Sequence, residues 1–318
     1  MPDSRQDATL LQNLHGMCIT MKSSSTTRRI LLAWSLLALL AALVAVVMVA
    51  GAGPLYKHET IGLGTAFGLL RHGAWVGVFA AGAALLGLLA SLLLRRARTG
   101  LLALAALLLG LGTFIWPYML LQGARSVPPI HDIATNPMHA PRFIALAKIR
   151  AKAPNGLDYG GGGSRIAQEE QGALAQFLNS PAGRKNPRHK DIAKDCKTWG
   201  PLCLTAVQHA YYPDIRPLRA PGIAPQAAFK AALTAARGMG WKIVDANAST
   251  GHIEATATTA WFGFKDDIAI DVIPANTGSV INVRSESRLG LSDLGKNARR
   301  VHAYLKRAAH QLTLLHKD

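Results

Sequence analysis

Three long apolar runs in the first 121 residues constrain this chain most. They cover residues 30–52, 74–94 and 101–121, and none of them contains Asp, Glu, Lys or Arg. Each has about the 20 apolar residues that a helix needs to cross a bilayer. Three such runs so close together would dominate any soluble fold. We therefore predict three transmembrane helices over residues 30–121, with the lipid bilayer as a partner.

The rest of the chain is strongly basic. The 318 residues carry a formal net charge of +17, although half of them are apolar. The two properties coexist because they occupy different parts of the sequence. Residues 122–318 contain 26 Lys and Arg against 15 Asp and Glu. A domain of this charge favours anionic lipid headgroups or acidic polymers.

Basic residues around the apolar runs predict the orientation. They are Lys22, Arg28 and Arg29 before the first run, and Arg95, Arg96 and Arg98 between the second and third. Short loops rich in Lys and Arg stay in the cytoplasm. We therefore expect a cytoplasmic flank over residues 1–29, starting at Met1, Met17 or Met21, and an exported C-terminal part. In a bacterium this is a multi-pass inner-membrane protein with a periplasmic domain, a location that excludes nucleic acid as a partner.

Two of the cysteines fall in the exported part. Cys196 and Cys203 bound the sequence CKTWGPLC, and a disulfide between them is favoured in an oxidising compartment. The alternative is a pair of buried free thiols. Neither a CxxC spacing nor a histidine partner accompanies them, so no metal site is expected.

Two segments precede the last hundred residues. Residues 122–166 are rich in Pro, Gly and Asn and predict an extended tether. Its GGGG run follows no strand and precedes no Lys-Ser/Thr, so neither a phosphate loop nor a cofactor is expected. Residues 167–210 predict a helix to about Leu178 and then a solvated basic run of Arg184, Lys185, Arg188 and Lys190.

Residues 211–318 predict an α+β domain. The stretch APQAAFKAALTAARG has one apolar helical face, and a second apolar stripe recurs at steps of four and three from Leu294 to Leu315. Between them, HIEATATTA, DIAIDVI and VINVRSES alternate as strands do. We predict an antiparallel sheet with the helices packed on one face and the other face open.

The acidic strand KDDIAIDV raises the question of a catalytic site. Residues that pair across neighbouring strands must lie on the same face of the sheet. This condition pairs Asp271 with Arg284 and Asp267 with Arg288, and it brings Glu254 near Asp271. On an open face these are exposed ion pairs that contribute ~0.2–1 kcal/mol each. A catalytic site would instead need a dry cleft that shifts a carboxylate pKa. Its candidate residues are Glu254, Asp266, Asp267, Asp271, Arg284 and Arg288.

Aromatic residues mark the end of the same hairpin. Trp261, Phe262 and Phe264, with Lys265 beside them, could form an exposed contact patch or fold beneath the helices. The sequence leaves both arrangements open.

Several stretches resemble a known bacterial family. YPDIRPL, AFKAALTAARGMGWKIV, IEATATTAWFGFKDDIAI and VRSESRLGLSDLGKNARRVHAYL are similar to the family catalogued as domain of unknown function 1499. PPIHDIATNP and PRF extend the resemblance upstream, so that it covers about residues 127–312. The resemblance implies an insertion between SRIAQ and YYPDI, which makes residues 167–210 atypical of the family. It brings no established activity.

Two classes of function therefore remain. The first is a membrane-anchored envelope protein whose exported domain binds a protein or an anionic lipid without catalysis. The second is an envelope hydrolase or lyase that uses the carboxylates and arginines of the sheet. The sequence favours the first, because it offers no nucleophile and base at a known spacing.

Overall fold

The computed structural model describes residues 25–160, 165–198 and 200–315. Lys22 and the alternative starts Met17 and Met21 lie outside these residues. The chain divides into two units, which are described separately. The first comprises residues up to Ala52 together with Gly64–Pro117, and the second comprises Gly53–Leu63 together with the residues from Tyr118 onward.

Three long helices account for the predicted transmembrane region. They are α1 (Ser25–Lys57), α2 (Leu63–Leu93) and α3 (Ala97–Arg125). Each is long and apolar enough to cross a membrane, which confirms the prediction of three N-terminal apolar helices.

Small residues line the interior of this first unit. A Cβ added at Gly77 would lie 2.8 Å from the carbonyl oxygen of Gly110, and one added at Gly110 would lie 2.5 Å from that of Gly77. The two backbones therefore touch, as small residues in membrane helices allow. Large apolar side chains such as Leu86, 62 % exposed, point outward.

The second unit is an α+β fold. The described part of its sheet has strands β1 (Asp132–Ala134), β2 (Leu218–Pro221), β3 (Lys242–Asn247), β4 (His252–Thr258), β5 (Lys265–Ala275) and β6 (Gly278–Ser287). The antiparallel order is β1-β6-β5-β4-β3, and β2 pairs with the other end of β6. Its helices are α4 (Ala147–Arg150), α5 (Arg165–Asn179), α6 (His189–Asp195), α7 (Pro201–Tyr211), α8 (Pro225–Gly238) and α9 (Lys296–Leu315).

Helices α8 and α9 cover one face of the sheet, as predicted. Alternation along the strands brings Ile253, Ile268 and Ile270 to that face, where all three are fully buried. Tyr304 of α9 stacks on Trp241, and its hydroxyl donates a hydrogen bond to a backbone carbonyl of α8. The predicted antiparallel sheet with helices packed on one face is confirmed.

The opposite face is not open, and this part of the prediction was wrong. Residues 141–157, which include α4 and are here called the cover segment, lie across it. Phe143 and Leu146 of that segment form a small buried cluster with Ala269 of β5. The sequence pattern did not reveal this, because the segment contacts strands more than a hundred residues away.

The register of the β5–β6 hairpin also differs from the prediction. Asp271 pairs with Asn282, and Arg284 pairs with Ala269. Both strands run into the predicted turn, so that Ala275 pairs with Gly278 and only two residues connect them. The shift is of two residues, which preserves the face of every side chain.

The described part of residues 122–166, expected to form a tether, contributes to the fold instead. Strand β1 pairs with β6 at the edge of the sheet, and Ile130 and Ile133 are 1 % exposed. Pro137 begins a short 3-10 helix after β1, and Gly156 adopts a positive φ of 71°, so the described chain turns from β1 over the sheet.

Residues 167–198 and 200–210 form a helical layer within the second unit. Cys196 and Cys203 lie at a disulfide distance, with their sulfur atoms 2.08 Å apart. Gln208 of α7 is 1 % exposed, and its amide both donates to and accepts from the backbone of Ala134 in β1. These hydrogen bonds attach the layer to the edge of the sheet.

Candidate functional site

A row of polar side chains, all but one of them ionisable, crosses the sheet beneath the cover segment. Because alternate residues of a strand share a face, β1, β4, β5 and β6 bring a common set to this face. The set is Asp132, His252, Glu254, Thr256, Asp267, Asp271, Arg284, Glu286 and Arg288. Glu254, Asp267 and Glu286 are fully buried, so the row is the largest concentration of buried charge among the described residues of the sheet.

Arg284 lies at the β1 end of this row. Its Nε and Nη2 donate to the two carboxylate oxygens of Asp132 at 3.1 and 2.9 Å, and Nη2 also donates to Glu286 at 2.7 Å. Burial would lower the pKa of Arg284, but the two carboxylates outweigh it and raise that pKa above its usual range. Arg284 is therefore held as a cation between two acids.

Asp267 occupies the middle of the row. Arg288 donates to its two carboxylate oxygens at 2.8 and 2.9 Å, and the Thr256 hydroxyl donates at 2.8 Å. Arg150 of the cover segment adds a contact to Asp267 at 3.1 Å and one to Glu286 at 2.5 Å. Two guanidinium groups thus neutralise one fully buried carboxylate.

An aromatic ring contacts both buried guanidinium groups. Phe143 of the cover segment lies with its ring centroid 4.6 Å from Arg150 and 4.7 Å from Arg284. Both distances are within the range of a cation–π contact. The ring shields the row from water while it contacts both cations.

Glu254 connects the cover segment to β4. Its carboxylate accepts hydrogen bonds from the backbone N–H groups of Ile144, Ala145 and Leu146 at 2.6, 2.7 and 2.9 Å. Burial alone would raise the pKa of Glu254, but the hydrogen bonds from His252 and from these amides lower it. The charged carboxylate is therefore the form that holds the cover in place.

His252 completes the row at its β4 end. Its Nδ1 lies 2.6 Å from Asp271 Oδ1, and its Nε2 lies 3.0 Å from Glu254 Oε1. Burial would lower the pKa of His252, but the two carboxylates raise it to about 9. At neutral pH the ring is therefore an imidazolium that donates from both nitrogens, with no lone pair left to accept a proton.

The structure brings together five of the six candidate residues predicted from the sequence. Glu254, Asp267, Asp271, Arg284 and Arg288 share the covered face. Asp271 pairs with His252 instead of Arg284, whereas Arg288 does contact Asp267, as expected. The predicted exposure was wrong for most of them, although the side chain of Asp271 is 35 % exposed.

Asp266 is the exception, because it lies on the helix side of the sheet. It accepts a hydrogen bond from Ser287 at 2.7 Å and pairs with Arg300 of α9. This contact holds α9 to the end of β5, away from the covered row.

Sequence reasoning missed several residues of the row and of the cover segment that contacts it. Glu286 lies between Arg284 and Arg288 in RSESR, and His252 precedes Glu254 by two residues, so the strand alternation could have identified both. No such signal exists for Asp132, Phe143 or Arg150, because they approach the row from distant parts of the chain.

The aromatic residues at the hairpin end cluster with one another. Phe262, 5 % exposed, stacks on Phe264 at 5.0 Å between ring centroids, and Trp261 meets Phe262 edge-on at 4.7 Å. Tyr56, which belongs to the same unit, lies 5.6 Å from Phe264. Lys265 is exposed beside them.

The chain matches a known protein family over part of its length. The model of the family described as "Protein of unknown function (DUF1499)" matches residues 191–307. The resemblance predicted from the sequence is confirmed over these residues. No curated protein and no solved structure matches the chain.

The family match covers only part of the charged row. Strands β4, β5 and β6, with His252, Glu254 and Arg284, lie inside the match to DUF1499. β1 and the cover segment lie before it, so the upstream resemblance to about residue 127 extends beyond what the family model matches. The match also begins at Asp191, within the segment predicted to be atypical of the family.

Proposed function

We propose that this chain is a membrane-anchored envelope protein whose second unit, here called the C-terminal unit, binds a protein or lipid partner without catalysing a reaction on it. The proposal places the N-terminus in the cytoplasm, the helices in a bacterial inner membrane and the C-terminal unit in the periplasm. The Lys and Arg residues of the short loops support this orientation. The cysteine pair at disulfide distance is in keeping with an oxidising compartment.

One observation carries the non-catalytic assignment: the charged row is covered and internally paired. A general base must be unprotonated near the working pH and must reach its substrate. His252, with a pKa raised to about 9 by Asp271 and Glu254, does not meet the first condition at neutral pH. Asp267 and Glu254, both fully buried, do not meet the second.

Asp271 supports the alternative of an envelope hydrolase or lyase. Its side chain is 35 % exposed, so its carboxylate could meet a substrate at the rim of the cover segment. The His252 cation lies within hydrogen-bonding distance of this carboxylate, at 2.6 Å. The positive charge stabilises the ionised carboxylate of Asp271 and so makes it a weaker base. The geometry thus favours a structural role for Asp271 and leaves catalysis as the second candidate.

The orientation is tested by reporter fusions. Alkaline phosphatase fused after residue 121 should be active, because it folds only outside the cytoplasm. The same reporter fused within the loop that contains Arg95 and Arg96 should be inactive. The reverse pattern would contradict both the orientation and the periplasmic location.

Binding without turnover is tested by native mass spectrometry of the full chain released from its own membranes. A molecule that dissociates from the protein should have the same mass as the unbound molecule in the membrane extract. Equal masses would show that the protein has not converted it. The Asp271→Asn variant should carry the same molecule in the same amount. Conversion of that molecule by the wild type, lost in the variant, would establish the enzymatic alternative.

A further inference from the structure

Strand β3 forms an edge of the sheet that its neighbours leave open. Among the described strands it pairs with β4 alone, so its outer side presents unpaired backbone N–H and C=O groups. The edge at β1 is protected instead, because Gln208 supplies its side-chain amide to the backbone of Ala134. Of these two edges, only β3 is therefore left for another strand in the described part of the chain.

The side chains of β3 are exposed along most of its length. Every residue from Lys242 to Asn247 is exposed except Ile243, which is half-buried. Val244, 39 % exposed, lies at a bulge, where the register with β4 shifts between Ile243 and Asp245. An exposed edge strand with an apolar residue near its centre is a surface on which a further strand can pair.

The bulge brings the two charged side chains of β3 to the same face. Lys242 pairs with Thr256, and Asp245 pairs with Glu254. Because residues that pair across strands share a face, Lys242 and Asp245 both lie on the face of the charged row, although they are three residues apart. Neither forms an ion pair with another described residue. The edge thus carries one cation and one anion without a partner of opposite charge.

Antiparallel pairing of β3 with β3 of a second copy satisfies both charges. In the register that sets Lys242 opposite Asp245 of the second copy, two-fold symmetry repeats the same pair. Ile243 then lies opposite Val244, and the charged pairs stay on one face. Asp245 lies opposite the like-charged Glu254 within its own sheet, which is unfavourable. A lysine on its other side offsets that repulsion.

We propose that β3 is a homodimer interface, in which two copies of this chain join their sheets and Lys242 of each copy faces Asp245 of the other. An edge lysine and a bulge both discourage pairing with an unrelated strand. A second copy supplies a carboxylate opposite that lysine, so the same features select this partner over others. The inference goes beyond the proposed function, because it concerns a second copy of this chain.

The contact between copies is tested by chemical crosslinking of the full chain. Unlabelled and ¹⁵N-labelled chains are mixed in dilute detergent solution and then concentrated together. A carbodiimide joins an ammonium to a carboxylate without a spacer, so it links Lys242 to Asp245 only where the two side chains meet. Peptide mass spectrometry should find this link between one labelled and one unlabelled peptide. Its absence from such mixed pairs would overturn the inference.

Exchange of the two charges tests the register. Lys242→Glu sets like charges opposite each other, so the dissociation constant of the dimer should rise about tenfold, since two exposed ion pairs are replaced by repulsion. Adding Asp245→Lys to this variant restores opposite charges and should restore the wild-type constant. The matched control, Lys306→Glu at an exposed position of α9, should have no effect. Native mass spectrometry of the detergent-solubilised chain over a concentration series measures these constants.

Three further results would contradict the interface. A dimer that Lys242→Glu leaves intact would form elsewhere, for example through residues 30–121. A dimer that is lost in Lys242→Glu and not restored by the double variant would exclude this register, provided that both variants unfold at the same urea concentration as the wild type. A chain that stays monomeric at every concentration would show that β3 is a protected edge.

Discussion

Replacement of Asp267 by Asn should be among the most destabilising isosteric changes in the C-terminal unit. Asp267 is fully buried and pairs with Arg288 and Arg150. The substitution keeps the shape of the side chain but turns an N–H donor toward guanidinium groups that also donate. Arg288 and Arg150 then lose the negative charge that both of them contact.

The size of the effect follows from what remains around each cation. Removing one partner of a buried ion pair costs about 3–5 kcal/mol. Arg150 keeps Glu286 at 2.5 Å, and the side chain of Arg288 is 16 % exposed and can regain some water. We therefore expect the lower end of the range, about 3 kcal/mol.

Asp271→Asn is the matched control. It is the same chemical change on the same strand and face, but the side chain of Asp271 is 35 % exposed. Its partner His252 also keeps Glu254 at 3.0 Å. Exposed pairs are screened by water, so the cost should be about 1 kcal/mol.

Pulse proteolysis of the detergent-solubilised full chain in a urea series measures both variants. At a slope of about 2 kcal/mol per molar urea, Asp267→Asn should lower the unfolding midpoint of the C-terminal unit by about 1.5 M and Asp271→Asn by about 0.5 M. Equal shifts would refute the distinction between a buried and a rim carboxylate. A negligible shift for Asp267→Asn would mean that the row is open to water.

Three further predictions concern other parts of the unit. Ile270→Ala should cost about 2–5 kcal/mol in the same assay, because it leaves a cavity between the sheet and its helices; a cost below that of Asp271→Asn would contradict the packing. The raised pKa of His252 means that its contribution to stability is complete below pH 6.5 and is lost as the pH rises through about 9. The stability difference between wild type and His252→Gln should therefore shrink over that interval, whereas a constant difference would exclude the ion pairs. Cys196 and Cys203 should appear as one linked peptide in mass spectrometry without reduction, and two alkylated thiols would refute the disulfide.

The sequence was sufficient for the helices and for the sheet because their patterns are local. The uncharged runs predicted the three apolar helices from length and composition alone. Strand alternation placed Glu254, Asp271 and Arg284 on the same face, and this assignment survived the error in register because a shift of two residues preserves parity.

The burial of that face could not be predicted, because it depends on contacts between distant segments. Arg150 reaches Asp267 across 117 residues, and Asp132 reaches Arg284 across 152. The composition of the Pro- and Gly-rich stretch predicts a tether, but the same composition also suits a series of turns. Only the pairing of β1 with β6 and the burial of Phe143 distinguish the two.

The proposed non-catalytic function requires that the cover segment be closed over the charged row. Amide hydrogen exchange of the full chain measures this directly at Ile144, Ala145 and Leu146, whose N–H groups donate to Glu254. A closed cover predicts slow exchange at these three amides, since each must break its hydrogen bond to Glu254 and leave the sheet before it exchanges. Rapid exchange at these three amides, with the strands still protected, would show that the carboxylates reach solvent and would contradict the non-catalytic account.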